Sequence, residues 1–409
     1  MAPMFLVTLI GCFLFAFYGA LIDYYRRAWK AIPTFTISTP AGSASPGAGS
    51  FGRQRLATGD AGPSRTKISV LVPARNEQAN IAACIDSLSR QSYPRHLYEV
   101  IVIDDHSTDR TPEIVSELHY PDLSIQCIRL AETTQDQPVL AHKKWAIETG
   151  IGRASGELIV TTDADCLFHP DWLLTMAAFY EQKNAKFIAA PVRIGGPRGS
   201  RSLLSIFQTL DFITLQGITG AAVSRKFHSM CNGANLAYAR SAFYEVEGFK
   251  DIDSLPSGDD MLLMHKIYRK YPDGVFFLKS RQAIVSTRPE TTWRGFFNQR
   301  IRWASKADRY DDKRIFWVLL LVYIVNALFA VLPVAAFWNS WWLWLLLVGL
   351  VVKTILEYPF VRTVAAFFGQ RSLMVYFPIL QPLHILYTIV IGWLGKFGSY
   401  RWKDRKISK

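Results

Sequence analysis

Short apolar runs alternate with amphipathic stretches through the middle of the chain, which is the pattern of strands followed by helices. Residues 68–72 and 98–103 are mostly apolar, as expected for strands buried on both faces of a sheet. Between them, residues 81–88 carry apolar side chains on one helical face. The alternation continues with strands over residues 124–130 and 158–161 and a helix over residues 142–151. This order predicts an α/β, Rossmann-like fold with a mostly parallel sheet and right-handed crossovers.

The same pattern predicts shorter elements further along the chain. These are helices over residues 172–180 and 261–271, single strands over residues 187–194 and 234–239, and a hairpin of residues 274–278 with residues 282–286. Residues 203–223 are long and apolar, but Gln208, Asp211 and Gln216 interrupt them. Because such side chains are costly in a bilayer, we expect a cytoplasmic or interfacial helix there.

The first residues of the chain indicate a membrane anchor. Residues 4–22 form an apolar run long enough to span a bilayer, with no basic residues before it and no small-residue cleavage site. Arg26, Arg27 and Lys30 follow the run, which indicates that the next segment is cytoplasmic. Residues 31–67 are rich in Ser, Gly, Pro and Ala and are therefore predicted to be a flexible linker.

Three apolar runs near the end of the chain are candidate membrane spans. They cover residues 315–337, 341–359 and 373–394. Before them, residues 293–314 combine Arg with Trp and Phe, a composition typical of a helix in the headgroup plane. These features divide the chain into an anchor (1–30), a linker (31–67), an α/β domain (68–292), an interfacial helix (293–314), a transmembrane region (315–395) and a basic tail (396–409).

The charges between these runs conflict with three complete spans. The first connection carries no charge, whereas Arg362 and Arg371 follow the second run, which places the first connection outside and the second inside. Three spans would then leave the basic tail outside. Either the last run is broken at Pro378 and Pro382 or the positive-inside rule fails here, so the pattern predicts two to three spans.

Composition supports a membrane protein that carries a soluble domain. The chain has 409 residues, a formal charge of +13, 50% hydrophobic residues, 12 Trp and 26 Phe, and its basic residues cluster beside apolar runs, which disfavours a nucleic-acid binder. Five cysteines show no paired spacing, so neither a zinc site nor a disulfide framework is predicted. The absence of Gly-x-Gly-x-x-Gly and Walker sequences excludes standard dinucleotide and P-loop chemistry.

Pairs of aspartates follow elements of the α/β domain and are the candidate chemistry. Asp163 and Asp165 come directly after a predicted strand, at the edge where open α/β sheets bind ligands. Two carboxylates with open positions suit a magnesium-type cation that also binds substrate phosphates. The alternative is that Asp165 or Asp171 caps the next helix.

Two further acidic pairs, Asp104–Asp105 and Asp259–Asp260, also follow predicted elements of this domain. The histidines show no shared ligand spacing, and we therefore interpret His106, His142, His228 and His265 as structural.

Seven ordered sequences carry a resemblance to a known family. They are PARNEQANIAACIDSL, VIDDHSTDRT, KKWAIETGI, TTDADC, NGANLAY, SGDD and QRIRW. In this order they resemble glycosyltransferase family 2, and more narrowly the membrane-integrated branch that includes ceramide glucosyltransferases, cellulose synthases and chitin synthases. The resemblance implies a GT-A fold, a UDP- or GDP-sugar donor, Mg2+ or Mn2+, and inversion at the anomeric carbon.

The resemblance also implies roles for single residues in binding the nucleotide sugar. Asp163 and Asp165 resemble the site for the metal and the diphosphate, and Asp104 and Asp105 the site for the base and ribose. The remaining residues implied for the nucleotide sugar are Pro73, Arg75, Glu77, Lys144 (with Lys143 as the alternative), Gln299 and Arg302. Arginine suits a diphosphate because its planar fork holds two oxygens.

For catalysis, the resemblance implies that Asp260 is the general base for the acceptor hydroxyl, beside Asp259. The chain has Asp-Asp where the family commonly has Glu-Asp, which leaves open which carboxylate takes the proton. Trp303 resembles the tryptophan of the Gln-x-x-Arg-Trp motif that lines the acceptor site, although Trp and Arg also serve as interfacial anchors. Asn232, Gly233 and Asn235 are expected to shape the acceptor pocket.

These expectations describe a metal-dependent, inverting hexosyltransferase with several spans in the cell (inner) membrane. Its cytoplasmic domain would transfer sugar from a UDP- or GDP-sugar to a lipid or membrane-associated acceptor. The alternatives are a processive polysaccharide synthase, a non-catalytic nucleotide-sugar-binding membrane protein and a sugar-phosphate nucleotidyltransferase. Few spans, and Gly-Asp-Asp in place of Thr-Glu-Asp, disfavour the processive synthase.

Overall fold

The computed structural model describes residues 2–37, 65–133, 141–195, 202–227, 230–253, 258–305, 313–398, 400–402 and 405–407. Most of the predicted linker, residues 38–64, lies outside the described residues, as do His228 and residues 306–312 of the predicted interfacial segment. The chain divides into two units. The helical unit is Met1–Ile32, Val192–Cys231 and Ser286–Lys409, and the sheet unit is Pro33–Pro191 and Asn232–Val285.

The described strands lie mainly in the sheet unit. They are β1 (Ile68–Ala74), β2 (Tyr98–Asp104), β3 (Ser124–Arg129), β4 (Leu158–Thr161), β5 (Phe187–Ala189), β6 (Val192–Ile194), β7 (Leu236–Ala239), β8 (Val275–Phe277), β9 (Val285–Thr287), β10 (Tyr400–Trp402) and β11 (Arg405–Ile407). Seven of them form one sheet in the order β3-β2-β1-β4-β7-β5-β8. β1 pairs in parallel with β2 and β4, β2 pairs in parallel with β3, and β7 is antiparallel to both of its neighbours. The predicted α/β fold with a mostly parallel sheet is therefore confirmed.

The described helices are divided between the two units. They are α1 (Ala2–Ala31), α2 (Ile81–Ser89), α3 (Thr111–Glu117), α4 (Leu130–Thr133), α5 (His142–Arg153), α6 (Trp172–Lys183), α7 (Leu203–Ser224), α8 (Arg240–Glu245), α9 (Met261–Lys270), α10 (Trp293–Ala304), α11 (Lys313–Ala336), α12 (Trp341–Phe367) and α13 (Phe377–Phe397). α1, α7 and α10–α13 belong to the helical unit, and the other helices belong to the sheet unit.

The centre of the sheet unit is fully buried, because β1, β2 and β4 are covered on both faces. Val70, Leu71 and Val72 of β1 have no exposed surface. α5 packs closely on this layer at Gly150, where an added Cβ would lie 2.9 Å from Cδ1 of Ile103. The apolar runs that predicted strands therefore reflect burial on two sides.

Two predicted strand assignments are wrong. Residues 187–194 form two strands rather than one: β5 belongs to the large sheet, while β6 pairs with β9. Pro191 lies between them, and proline cannot donate to a strand ladder. The predicted hairpin of residues 274–286 is absent, since β8 pairs in parallel with β5. Short apolar runs around a turn fit both arrangements, and only the distant strand β5 decides between them.

Four described helices are long and apolar enough to cross a membrane: Phe5–Ala31, Lys313–Ala336, Trp341–Phe367 and Phe377–Phe397. α7 is not among them. Its polar residues are buried within the helical unit, where Gln208 exchanges hydrogen bonds with the backbone of Glu290 at 3.0 and 3.1 Å. The last run is not broken at its prolines, because Pro378 lies in the first turn of α13 and the helix continues past Pro382.

A buried polar network joins α1, α12 and α13 inside the helical unit. The Lys353 ammonium, which has no exposed surface, donates to Glu357 at 2.5 Å and to Gln381 at 3.3 Å. Gln381 and the Tyr18 hydroxyl also donate to the Glu357 carboxylate. Charged groups within apolar helices are stable only when such partners compensate them, so this network holds α1 against the C-terminal helices.

We predict that Lys353→Met lowers the free energy of unfolding by about 3 kcal/mol, because it leaves the buried carboxylate of Glu357 without its cation. Thermal unfolding of the detergent-purified chain measures this effect. Lys353→Met combined with Glu357→Gln should recover most of the loss, since the amide still accepts from Tyr18 and carries no charge. Val352→Met, at a partly exposed neighbour on the same helix, is the matched control and should change stability by less than about 0.5 kcal/mol. Equal losses in the single and double variants would contradict a charge-based cause.

Candidate active site

Two loops at the carboxyl edge of the sheet are held together by hydrogen bonds. After β1, Asn76 has a φ of 52° and donates its N–H to the Ser107 hydroxyl at 2.9 Å. The N–H of Glu77 donates to the Thr111 hydroxyl at 2.8 Å. Arg75 donates from Nη1 to the carbonyl of Asp105 at 2.8 Å. Together with Pro73 at the end of β1, these residues bring the predicted nucleotide loop beside the predicted Asp104–Asp105 pair.

Asp104 and Asp105 are buried, with 3% and 5% of their surfaces exposed. The N–H of Asp105 donates to the Ala74 carbonyl at 2.8 Å, which extends the β1–β2 ladder to the edge. Two histidines contact Asp105: the Nδ1 atoms of His106 and His142 lie 3.0 and 3.2 Å from its Oδ1. The three side chains are placed so that they could hold a metal ion.

A second group of charges forms around Lys143, in the first turn of α5. Its ammonium lies 2.8 Å from Oδ1 of Asp163 and 3.4 Å from Oδ2 of Asp259. Burial alone would lower the pKa of Lys143, but the charges of Asp163 and Asp259 outweigh burial and raise that pKa well above its ordinary value. One cationic atom thus joins carboxylates from two separate loops.

The loop of Asn232 and Gly233 completes this group. A Cβ added to Gly233 would lie 3.0 Å from the Lys143 ammonium and 3.3 Å from Oδ2 of Asp259, so the absence of a side chain leaves room for the ion pair. Asn232 fixes the loop by accepting from the Ala234 N–H at 3.0 Å. Asp260 follows directly and accepts from the Met261 N–H at 2.7 Å, where it caps α9.

Asp165 is half-buried next to two buried thiols. Cys166 donates to its carboxylate at 3.7 Å. Burial, followed by the charge of Asp165, raises the pKa of both Cys84 and Cys166, so neither thiol suits nucleophilic chemistry. Asp165 does not cap α6, since Asp171 occupies that position and its carboxylate accepts from the Ser92 hydroxyl at 2.8 Å instead.

Two residues expected at the site face elsewhere. Lys144 is buried, with 2% of its surface exposed, and its ammonium donates to the carbonyl of Ile252. Asn235 is fully buried and donates to the carbonyls of Pro191 and Ala283, both at 2.8 Å, which makes it a support for the loops rather than part of a pocket.

Sequence reasoning left Lys143 as an alternative to Lys144 and interpreted His106 and His142 as structural, whereas both histidines contact Asp105. Helical phase would have separated Lys143 from Lys144, because Lys144 shares the buried face of α5 with Ile147 and Ile151. His106 is next to the Asp104–Asp105 pair in sequence, but no local sequence pattern predicts that His142 contacts the same pair.

The remaining predicted residues lie on α10, in the helical unit. Gln299 donates to Glu290 at 3.5 Å, and its own oxygen accepts from Arg300 at 3.3 Å. Arg300 is 2% exposed, pairs with Asp211 at 2.8 Å and lies with its guanidinium 4.1 Å from the Trp303 ring centroid. Arg302 is half-buried in the last turn of the helix. Arg300, which the motif does not specify, thus holds Trp303 in place.

Two family models match the chain. The model of "Glycosyl transferase family 2" matches residues 69–246, and the model of "Glycosyl transferase family group 2" matches residues 158–394. The first range includes Asp104, Asp105, Lys143 and Asp163, and the second includes Asp260 and the Gln299–Trp303 segment.

Curated relatives are similar over part of their length. The chain is 26% identical over 58% of its length to "Probable glycosyltransferase YdaM" of Bacillus subtilis (strain 168). It is 36% identical over 32% of its length to "Glycosyltransferase AglE" of Haloferax volcanii, and 32% identical over 41% to "Beta-monoglucosyldiacylglycerol synthase" of Nostoc sp.. The chain covers 54%, 41% and 34% of these relatives, about half of their length or less.

Among solved structures, the chain resembles "Mannosyltransferase PcManGT from Pyrobaculum calidifontis in complex with GDP-Man and Mn2+". The TM-score is 0.50 at 20% sequence identity, over 92% of this chain and 99% of that one. This likeness concerns the fold, which is of the GT-A type, as the sequence predicted.

We predict that Lys143→Met lowers the free energy of unfolding at neutral pH by about 2 kcal/mol, because charged hydrogen bonds to Asp163 and Asp259 are lost. Chemical denaturation followed by tryptophan fluorescence measures the difference. The difference should shrink as the pH rises past the ordinary lysine pKa of 10.5, because the lysine is then neutral in the unfolded chain while its raised pKa keeps it charged in the folded one.

The matched control is Lys183→Met, at an exposed lysine of α6, which should change stability by less than about 0.5 kcal/mol at either pH. A Lys143→Met effect that stays constant up to about pH 11 would show that side-chain packing, not charge, causes it.

Proposed function

The chain belongs to glycosyl transferase family group 2, and on that premise we propose that it is a membrane-bound, metal-dependent, inverting glycosyltransferase. It moves a hexosyl group from a UDP- or GDP-sugar to a lipid or membrane-associated acceptor. The observation that supports this proposal most strongly is the convergence of Asp163 and Asp259 on the ammonium of Lys143.

This convergence fits a divalent cation. Carboxylate oxygens from two loops already share one cationic partner, and the nearby Asp165 offers a further hard oxygen donor. Such donors suit Mg2+ or Mn2+, for which one or two carboxylates suffice when substrate phosphates supply further oxygens. Asp163 and Asp165 would hold the ion, which when bound supplies positive charge to the departing diphosphate.

Lys143 is the lysine of this region that serves the diphosphate. Its ammonium already binds carboxylates at the site, whereas Lys144 is tied to the backbone elsewhere. For Gln299 and Arg302 of α10, binding of the diphosphate stays a prediction from the motif, because a planar guanidinium can bind two phosphate oxygens.

We assign the nucleoside to the loops that follow β1 and β2. Pro73, Arg75 and Glu77 border the buried Asp104–Asp105 pair, and the Asp105 carboxylate can accept hydrogen bonds from a base or a ribose.

Asp260 acts as general base in this scheme. It removes the proton of the acceptor hydroxyl, and the oxygen then attacks the anomeric carbon from the face opposite the diphosphate. The bond to the diphosphate breaks, and the configuration inverts. Asp259 is the weaker candidate, because its pairing with Lys143 stabilises the charged carboxylate and so makes it a weaker base. Asn232, Gly233 and Trp303 are assigned to the acceptor.

A lipid acceptor is supported by two independent features. Four of the described helices are apolar enough to cross a membrane, and a relative at 32% identity is named "Beta-monoglucosyldiacylglycerol synthase". Following Arg26, Arg27 and Lys30 at the C-terminal end of α1, we place the sheet unit on the cytoplasmic side of the cell (inner) membrane.

We predict that the detergent-purified chain transfers radiolabel from one member of a panel of UDP- and GDP-sugars to diacylglycerol or a total lipid extract, in the presence of Mn2+ or Mg2+. Label should move to the organic phase. Asp260→Asn should reduce turnover by about 100-fold or more, because the general base is lost, while nucleotide binding persists.

Asp251→Asn is the matched control. Asp251 is exposed with a φ of 69°, a conformation that Asn accepts, and its replacement should leave turnover unchanged. Full turnover in Asp260→Asn would disprove the general base. An insoluble polymer in place of a labelled lipid would support the processive synthase.

A further inference from the structure

Asp105, His106 and His142 form a cluster of side chains of the kinds that ligate metal ions. This cluster is separate from the carboxylates of Asp163 and Asp259 that contact Lys143. The Nδ1 atoms of both histidines face one oxygen, Oδ1 of Asp105, at 3.0 and 3.2 Å. All three candidate ligand atoms lie within 4.8 Å of one another. The carboxylate is buried, both imidazoles are half-buried and the Nδ1 atom of His142 is itself buried, so the cluster combines a fixed acidic group with two nitrogen ligands.

Two of the three distances in the cluster, those from Asp105 to each histidine, match those between ligands of one transition-metal ion. Zinc binds nitrogen and carboxylate oxygen at about 2.1 Å, so two ligands are about 3.0 Å apart at a right angle and about 3.4 Å apart at the tetrahedral angle. The two observed separations fall within or at the edge of this interval. The imidazole planes are inclined by 83°, so the rings approach from different directions, as ligands around one centre do.

The backbone supports this arrangement. His106 has a φ of 56°, in the left-handed region that few residues other than glycine adopt. The N–H of Ser107 donates to Asp104 at 3.3 Å, and the N–H of Asp105 donates to Ala74, so the turn is held from both sides. Strained conformations that are held in this way concentrate at functional sites.

The type of ligand distinguishes this cluster from the charged group of Lys143, Asp163 and Asp259 (the Lys143 group). Two imidazoles and one carboxylate suit zinc and other borderline transition metals, whereas carboxylates alone suit Mg2+ and Mn2+. Consecutive residues in the first turn of α5 serve the two groups: His142 faces Asp105, and Lys143 faces Asp163.

We propose that Asp105, His106 and His142 form a transition-metal site that binds Zn2+ and that excludes the nucleoside of the donor while Zn2+ is bound. The first half stands on the geometry of the cluster. The second half rests on the proposed function, in which Asp105 binds the base or ribose, because a carboxylate oxygen that ligates a metal is lost to the nucleoside. Zn2+ is thus an inhibitor whose site differs from that of the catalytic cation.

Co2+ titration of the chelator-treated, detergent-purified chain tests the metal site, because visible absorption of Co2+ reports nitrogen ligation. We expect one equivalent of Co2+ to bind to the chain, and we expect Zn2+ to displace it. His106→Ala and His142→Ala should each weaken binding more than about 10-fold, while His96→Ala, at an exposed histidine outside the cluster, should not. Circular dichroism verifies that each variant is folded.

The competing outcomes are distinct. Unchanged Co2+ affinity in folded His106→Ala and His142→Ala would overturn the site. The site is equally overturned if Asp163→Asn abolishes the absorption while both histidine variants retain it, because the ion would then occupy the Lys143 group. If both histidine variants are unfolded, the absorption spectrum of the unsubstituted chain decides, since ligation by oxygen alone contradicts the proposal.

A second titration tests exclusion of the nucleoside. UDP or GDP with excess Mg2+ is added to the Co2+-loaded chain, and pyrophosphate with Mg2+ is the control because it chelates metal ions at least as strongly as the nucleotides but has no nucleoside. Loss of the Co2+ absorption with a nucleotide but not with pyrophosphate supports exclusion. Retention of the absorption while UDP or GDP binds would overturn exclusion. If neither nucleotide binds even to the metal-free chain, the proposed function fails and the metal site stands on the first titration.

Discussion

The candidate site of the sheet unit depends on the contact of one ammonium, that of Lys143, with two carboxylates. Lys143 lies between Asp163 and Asp259, which come from loops far apart in sequence. Two like charges about 5 Å apart repel by about 3 kcal/mol at an effective dielectric constant of about 20, so such carboxylates converge stably only around positive charge. Gly233 leaves the space for that charge. The same requirement makes the site suitable for a divalent cation.

The two proposed cation sites along this edge of the sheet differ in the chemistry of their ligands. The start of α5 contributes to both, since His142 contacts Asp105 while Lys143 contacts Asp163. Oxygen ligands select hard cations, and imidazoles select transition metals. A transferase that uses both would bind its nucleotide through residues that zinc also recognises, so metal availability would influence donor binding without any change in the catalytic carboxylates.

Buried charges have a different purpose in the helical unit. Burial alone would raise the pKa of Asp211, but Arg300 and His384 outweigh burial and lower it, so the carboxylate stays paired. Arg300 in turn packs on Trp303. Because a buried charge that loses its partner is strongly destabilising, this pairing fixes the rotation of α10. The residues of the Gln-x-x-Arg-Trp motif are therefore presented by a helix that cannot turn about its axis without breaking an ion pair.

The sequence by itself determined the alternation of strands and helices, the apolar helices and the acidic pairs, because periodicity and short motifs are properties of neighbouring residues. It misassigned the pairing of residues 274–286 and favoured Lys144 over Lys143. Only the tertiary structure decided the strand pairing, since β8 finds its partner in β5. The helical phase of α5 already separates Lys143 from Lys144, but only the folded chain brings the ammonium of Lys143 to carboxylates in distant loops. His142 likewise meets Asp105 only after the chain has folded, because no local pattern encodes a contact between residues so far apart in sequence.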